Sequence, residues 1–474
     1  MSRVAHPAGP RHAGVPPAGH PPALPADLNA LDPAAWPRGA RRAGGVLTLA
    51  GLDVRDLAGE YGTPLFVLDE ADFRGRCRDF RQAFGADTAV FYATAAFCSR
   101  GVLRWAAEEG LGVAVCTGGE LEVALAAGVD PAMITLYGSN KLSGELERAL
   151  GAGVGHIAAD SYEEIARLAH LTGEAGAPGS SRSANIGGRR PQILVRVASG
   201  VEAHAREFMA AAHDDQKFGF SLFSGAADEA VRRVLAAPGL DLAGLHCHIG
   251  SQIHDAAGFE VAARRVLELA ARIAAEHGVQ IAELNLGGGF GVASGPGAAP
   301  ADIKIIARDL HGIVRAQCAA AGLAVPRLSV EPGRAIAGPG TVTLYEVGTV
   351  KDVDGLRTYV GVDGGMGENI GTAPHGAEHA CVLASRESAA PAMLSRLVGR
   401  HGENGDIVVR DAYLPADLVP GDLVAATATG AYCRSMASNH NHLPRPPVVA
   451  VSDGTARVML RRETAADLLA LDEG

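Results

Sequence analysis

Val90-Phe91-Tyr92-Ala93-Thr94-Ala95-Ala96-Phe97 is a short apolar run with an aromatic pair. It is followed over Arg100–Glu109 by apolar residues at helical spacing, Val102, Leu103, Ala106 and Ala107. The pair reads as a buried strand running into a helix, and the pattern repeats down the chain. Further apolar runs occur at Val113–Cys116, Ile134–Tyr137, His156–Ala159, Ile193–Val197, Leu242–His248, Leu284–Leu286 and Leu328–Val330. Segments of helical spacing separate them, among them Glu120–Ala127, Leu142–Leu150, Tyr162–Leu171, Ala226–Ala237 and Phe259–His277. Eight strands alternating with helices predict a (β/α)8 TIM-like barrel. A doubly wound sheet is the rival, and eight consecutive units favour closure.

Beyond Glu331 the character changes. Thr341–Val350, Arg357–Val362, Asp406–Arg410, Leu423–Ala428, Val448–Ser452 and Ala456–Arg461 read as strands with few helices between them. This predicts a C-terminal β-sandwich or β-barrel domain. The expected organisation is an unstructured tail over 1–44, a segment 45–64 joining the β domain, a barrel over 65–335 and the β domain over 336–474. Within the barrel, 173–190 is rich in Gly, Ser and Arg, lacks periodicity and reads as a mobile surface insertion.

The 474 residues suffice for a large core and two domains. A net charge of −11 without a basic run argues against a nucleic-acid or anionic-membrane partner. The seven cysteines are scattered with no C-x-x-C pair, which fits a reducing cytoplasm rather than a disulfide framework. No apolar run has the length of a membrane span, and the N-terminal stretch has no apolar core of a secretory signal.

In a barrel of this kind chemistry lies at the C-terminal ends of the strands. Strand one ends in Thr94, Ala95 and Ala96, none of which does acid–base or covalent work at neutral pH. Strand six ends in His246-Cys247-His248-Ile249-Gly250-Ser251, strand seven in Gly287-Gly288-Gly289 and strand eight in Glu331-Pro332-Gly333-Arg334. Bare glycine N–H groups and a serine hydroxyl suit a phosphate, although a tight barrel turn explains a glycine run equally. His246 and His248 share a strand face, which permits a metal pair, but no carboxylate or thiol sits at ligand spacing, so no metal is expected. Glu331 suits a protonated pyridine nitrogen, and equally a salt bridge to Arg334.

Together these pieces resemble the pyridoxal-phosphate enzymes of fold type III, the alanine racemase and ornithine decarboxylase group, and within it diaminopimelate decarboxylase. The likeness runs from about Gly45 to Leu469. It rests on CTGGEL (Cys116–Leu121), VEAH (Val201–His204), HDDQKFG (His213–Gly219), GLHCHIGSQI (Gly244–Ile253), GGGF (Gly287–Phe290) and VEPGRAIAGPG (Val330–Gly340). Further strings are TLYEVGTVKDV (Thr343–Val353), VDGGM (Val362–Met366), NGDIVVRD (Asn404–Asp411) and GAYC (Gly430–Cys433). The resemblance implies that His248 stacks on the cofactor ring, that Ser251, Gly287, Gly288 and Gly289 bind its phosphate, and that Glu331 pairs with the ring nitrogen. It implies that Tyr432 also reaches the cofactor, that Arg334 holds a substrate carboxylate, and that Glu403 reaches a substrate amine across a homodimer interface.

The same resemblance exposes what is missing. The family's Schiff-base lysine lies in Tyr-Ala-x-Lys-Ala, and here that stretch is Tyr92-Ala93-Thr94-Ala95-Ala96, with Ala95 at the lysine position. Gly371 stands where the family has a substrate-binding arginine, His375 where it has a tyrosine, and Gly402 where it has a cysteine. The implied reaction is decarboxylation of meso-2,6-diaminopimelate to L-lysine, impaired by the lost lysine, with pyridoxal phosphate bound non-covalently. The alternatives are a member acting on another amino acid, and a pseudoenzyme that binds the cofactor or pairs with an active homologue. The chain has only four lysines, and the resemblance places two of them, Lys141 after strand three and Lys217 in the loop before the KFG turn, as the candidates to substitute for the lost one.

Overall fold

A computed structural model describes residues 22–175, 190–201, 217–293, 295, 297–353, 357–370 and 379–474. Eight parallel strands form the barrel: Ala89–Ala93, Gly112–Val115, Ile134–Leu136, His156–Ala159, Gln192–Ala198, Asp241–His246, Glu283–Asn285 and Arg327–Val330. The last closes on the first, with Ser329 opposite Ala89 and Val330 opposite Val90. The sixth strand pairs with the fifth and seventh, and the fourth with the fifth, so the ring has no open edge. The apolar runs are nearly continuous because a barrel strand is buried on both faces.

The helix Arg100–Glu108 shows how each unit is built. Ser99 accepts a hydrogen bond from the Val102 N–H and starts the helix, and Val102, Leu103, Trp105 and Ala106 turn inward. The cap places the turn Thr94–Cys98 at the end of strand one.

The second sheet is built on the long strand Thr341–Val353, antiparallel to Arg357–Val362 and Leu423–Ala426. Two of its strands, Cys381–Leu383 and Ala392–Val398, are absent from the sequence reading. The run Leu65–Leu68, expected within the barrel domain, forms Leu65–Asp69 and lies in this sheet instead. It is antiparallel to Thr341–Leu344 and parallel to Val448–Val451. Its alternation explains the placement: Phe66 and Leu68 join the barrel-side core, while Leu65 and Val67 join a separate core with Val342, Leu344 and Val449. A boundary at residue 65 therefore cuts through the β domain.

The expected tail over 1–44 also needs correction over its described part. Arg41–Ala43 pairs with Val46–Leu49, which pairs in turn with Leu52–Asp53. Trp36 is 2% exposed and packs with Leu47 and Leu49. Burying an indole of this size outweighs the ordering cost of a short proline-rich segment. The Arg42 guanidinium donates to Leu383 O at 2.8 Å, and Leu47 N–H to Ala384 O at 2.9 Å. Val46–Leu49 thus touches the β domain but takes its sheet partners from its own neighbours. Residues 1–21 and most of the insertion expected at 173–190 lie outside the described residues.

Candidate active site

The turn after strand one is held from three sides. Thr94 N–H donates to Ala114 O at 3.0 Å, and Tyr432 N–H from the β domain donates to Ala96 O at 2.9 Å. The Ser435 hydroxyl donates to the same Ala96 oxygen at 3.0 Å. Of the residues Ala89–Phe97, only Ala95 is not buried. Its methyl group therefore borders open space at the C-terminal end of the barrel. Beside it the Thr94 hydroxyl donates to Glu120 Oε2 at 2.7 Å, and Cys116 N–H donates to the same oxygen at 2.6 Å.

Glu331 stands at the end of strand eight, buried, with Asn285 Nδ2 on one oxygen at 2.9 Å and His246 Nε2 on the other at 3.3 Å. Burial alone would raise its pKa. The imidazoles of His246 and His248 and the Asn285 amide outweigh that, and hold the carboxyl below the usual range. The salt bridge to Arg334 is not formed. Arg334 instead places its guanidinium 4.6 Å from the centre of the Tyr432 ring, and its Nε is buried without a partner among the described residues.

His248 accepts from Gly288 N–H on Nδ1 at 3.1 Å, which puts its proton on Nε2. Burial, then the Arg196 charge, push its pKa down to about 4, so the ring is neutral at physiological pH. The three glycines it meets leave no room for side chains. A Cβ would lie 2.6 Å from Cys247 O at Gly287, 2.2 Å from Glu331 O at Gly288 and 2.3 Å from Gly250 O at Gly289. Gly287 and Gly289 also have φ of +69° and +99°. The N–H groups of Gly287 and Gly288 are committed to Asn285 Oδ1 and His248 Nδ1. Those of Gly250, Ser251 and Gly289 donate to no acceptor among the described residues.

A cradle that any Cβ would fill, with undonated N–H groups at its rim, a neutral imidazole and an ionised carboxylate, fits a phosphorylated pyridine. Within the cradle, Gly289, Gly250 and Ser251 carry the available donors, whereas Gly287 and Gly288 form its floor.

The substitute lysines are placed unambiguously. Lys141 Nζ donates to Glu164 Oε2 at 2.9 Å and to Ala158 O at 2.6 Å, with the side chain 1% exposed. Lys217 lies 4.8 Å from the Phe218 ring centre on an exposed segment. Lys141→Met is expected to strand the buried Glu164 carboxylate and to cost roughly 3–5 kcal/mol of stability. Chemical denaturation checks it, and cofactor binding by the folded fraction is expected to be unchanged. Nor do the neighbouring thiols offer a nucleophile, since burial pushes Cys98 up to about 12 and raises Cys116 as well.

Glu403 and Gly402 lie on an exposed loop away from these groups. Glu403 Oε1 pairs with His440 Nε2 at 2.6 Å, and the space around Gly402 is open. His401, Glu403 and His440 bring ligand atoms within 4.8 Å of one another. Both nitrogens of His401 are already used, however: Nε2 accepts from Gly367 N–H at 3.0 Å and Nδ1 meets Asn441 Oδ1 at 2.9 Å. Coordination at either nitrogen would break one of these bonds, so the trio reads as a hydrogen-bonded knot. Gly371 and His375 lie outside the described residues.

Three residues of the barrel mouth were given no role in the sequence reading. Glu120 and Thr94 meet only through the fold. Arg196, a charge inside the run Ile193–Val197, was the visible signal: its guanidinium lies 4.4 Å from the Phe218 ring centre and 3.6 Å from Asp160.

A buried carboxyl adjoins the region. Glu368 accepts from Gly365 N–H at 2.6 Å, and burial pushes its pKa up to about 8. The folded protein then holds a proton that the unfolded chain releases from about pH 4.5 upward. The stability this supplies is complete below that pH and is lost progressively up to about pH 8, by roughly 5 kcal/mol. Glu368→Gln is expected to flatten this part of the stability profile, measured by urea unfolding at pH 6 and pH 9.

The chain's barrel defines its class. Residues 70–338 match the family described as pyridoxal-dependent decarboxylase, pyridoxal binding domain, and pyridoxal phosphate is the cofactor of that class. Diaminopimelate decarboxylase of Mycobacterium tuberculosis is 53% identical over 455 residues, covering 94% of this chain and 99% of the relative. That of Mycobacterium leprae is 52% identical over 482 residues, covering 98% and 99%. The crystal structure of diaminopimelate decarboxylase from M. jannaschii in complex with L-lysine superposes with a TM-score of 0.84. It is 26% identical and covers 92% of this chain and 98% of that one. The chain belongs to the diaminopimelate decarboxylase family. Among the described residues no helix is long and apolar enough to cross a membrane.

Proposed function

We propose that this chain binds pyridoxal phosphate without a covalent tether, and that its decarboxylation of meso-2,6-diaminopimelate to L-lysine is severely impaired. The observation that carries the reading is Ala95, the one residue of Ala89–Phe97 that is not fully buried, on the strand end where the family has its lysine. When bound, the cofactor supplies an electron sink for the charge left by loss of carbon dioxide. Gly289, Gly250 and Ser251 would hold its phosphate, with Gly287 and Gly288 beneath. The neutral His248 would stack on the ring, and the ionised Glu331 would keep a proton on the ring nitrogen. Tyr432 would close the site from the β domain, and Arg334, whose Nε has no partner among the described residues, would hold a substrate carboxylate.

What the chain lacks is an amine at position 95 to exchange with substrate and to move protons. Positioned proton transfer contributes about 10²–10⁴-fold and covalent activation adds to it. Lysine formation from meso-diaminopimelate is therefore expected at least about 10³-fold below that of a lysine-bearing relative. Chromatographic assay of purified protein with added cofactor tests it, and ordinary enzyme rates would overturn the reading.

A second reading is favoured by Glu403. Its exposed loop serves no group in its own barrel, and suits a homodimer in which it enters the partner's site. A chain that has lost position 95 but kept Glu403 can still complete the site of an active homologue. Co-purification of such a homologue with lysine-forming activity supports this, and exclusive self-pairing opposes it. Either form fits a cytoplasmic protein.

A further inference from the structure

We propose that the barrel mouth selects the amine form of the phosphorylated pyridine, pyridoxamine phosphate, over the alcohol and the aldehyde. The inference rests on the reading of this pocket as a pyridoxal-phosphate site, and adds which group at C4′ this chain favours.

In a site with a lysine, the aldehyde has one advantage over the amine: it forms a bond to the protein. Ala95 removes that advantage. The two lysines whose charge reaches Cys116 are held elsewhere among the described residues: Lys141 is locked between Glu164 Oε2 and Ala158 O, and Lys217 lies against Phe218. What remains at C4′ is decided by non-covalent contacts.

The charge left beside residue 95 is negative. Glu120 is half-buried, and a single oxygen, Oε2, receives both the Thr94 hydroxyl and the Cys116 N–H. Oε1 accepts no hydrogen bond from the described residues. Its charge acts on Cys98, Cys116, Tyr137 and Tyr432, groups contributed by three barrel loops and the β domain. Glu120 therefore sits among the side chains that converge on the mouth. Of the cations whose charge reaches Cys116, Lys141 pairs with Glu164, Arg196 faces Asp160 and Lys217 lies against the Phe218 ring. Among the described residues no lysine, arginine or histidine forms an ion pair with Glu120. A half-buried carboxylate without a counter-charge attracts an ammonium more strongly than a hydroxyl or a carbonyl. The 4′-aminomethyl group of pyridoxamine phosphate supplies that ammonium, in the region where the family's lysine supplies its own.

Calorimetric titration of the full chain, stripped of bound ligand, with pyridoxamine phosphate, pyridoxine phosphate and pyridoxal phosphate tests this. The amine is expected to bind about ten-fold more tightly than either the alcohol or the aldehyde, and an aldehyde bound as tightly as the amine also overturns the proposal. In Glu120→Gln the amine-to-alcohol ratio is expected to fall to about one, and in Ala95→Lys the preference is expected to pass to the aldehyde. Equal binding of amine and alcohol by the native chain overturns the proposal while leaving the pocket assignment standing. Binding of none of the three overturns both. The native-chain comparison needs no substituted protein, so a Glu120→Gln variant that failed to fold would not blunt it.

Discussion

Ala95→Lys is expected to give a protein whose cofactor is trapped on residue 95 by borohydride, a bond the native chain does not form. The backbone there is already in place. Thr94 N–H is fixed to Ala114 O and Ala96 O receives both Tyr432 N–H and the Ser435 hydroxyl, so the new side chain starts from a rigid turn. Ala95 is the only partly accessible residue between Ala89 and Phe97, and its side chain is where a longer one can extend. The Glu120 carboxylate next to Thr94 offers the ammonium a counter-charge. Turnover of meso-diaminopimelate is expected to rise by about 10²–10⁴-fold over the native chain. It is expected to stay below that of lysine-bearing relatives, because Gly371 and Gly402 remain. Peptide mass spectrometry after reduction locates the adduct. Its absence from residue 95 would show that this strand end does not face the cofactor.

Gly289→Ala is expected to abolish binding of pyridoxal phosphate, weakening it by at least about 100-fold, and to destabilise the fold by about 3 kcal/mol. Two effects combine at this position. The backbone has φ of +99°, which an L side chain rarely adopts, and the methyl group would lie 2.3 Å from Gly250 O. Relief requires moving the Gly250–Ser251 turn, the other half of the anion cradle. Gly278→Ala provides the contrast. That glycine follows the helix Ala257–His277 with φ of +68° and nothing within 4 Å of a Cβ. It is expected to cost about 1 kcal/mol and to leave binding intact. Denaturant unfolding and cofactor titration of both variants separate backbone strain from loss of the cradle.

The barrel was legible because its code is local. Each strand is a short apolar run and each helix repeats at 3–4 residues, so eight units could be counted without knowing where they meet. The β domain was harder. Leu65–Leu68 is apolar throughout, and nothing in it says that alternate residues serve two different cores. Cys381–Leu383 is three residues long, and Ala392–Val398 mixes Ser395 and Arg396 into its apolar pattern. At the site, residues carried by contiguous strings were visible: Ala95, His248, the glycines and Glu331. Those that act through pairings were not. Thr94 and Glu120 are 26 positions apart, and Asn285 and Glu331 are 46 apart. Such contacts exist only once the strands are side by side. The commitment of Gly288 to His248, 40 positions away, was hidden for the same reason.

The strand Leu65–Asp69 has a consequence for how this protein is made. Its parallel neighbour Val448–Ser452 is translated some 380 residues later. At about 5–20 residues per second that delay is roughly 20–80 s. Throughout it, four consecutive apolar side chains and an unpaired backbone edge stand open to other nascent chains. Holding factors that shield such segments are therefore expected to engage this strand, and to let go only when Val448–Ser452 has been made. Barrel fragments that stop before the β domain should aggregate through this one strand.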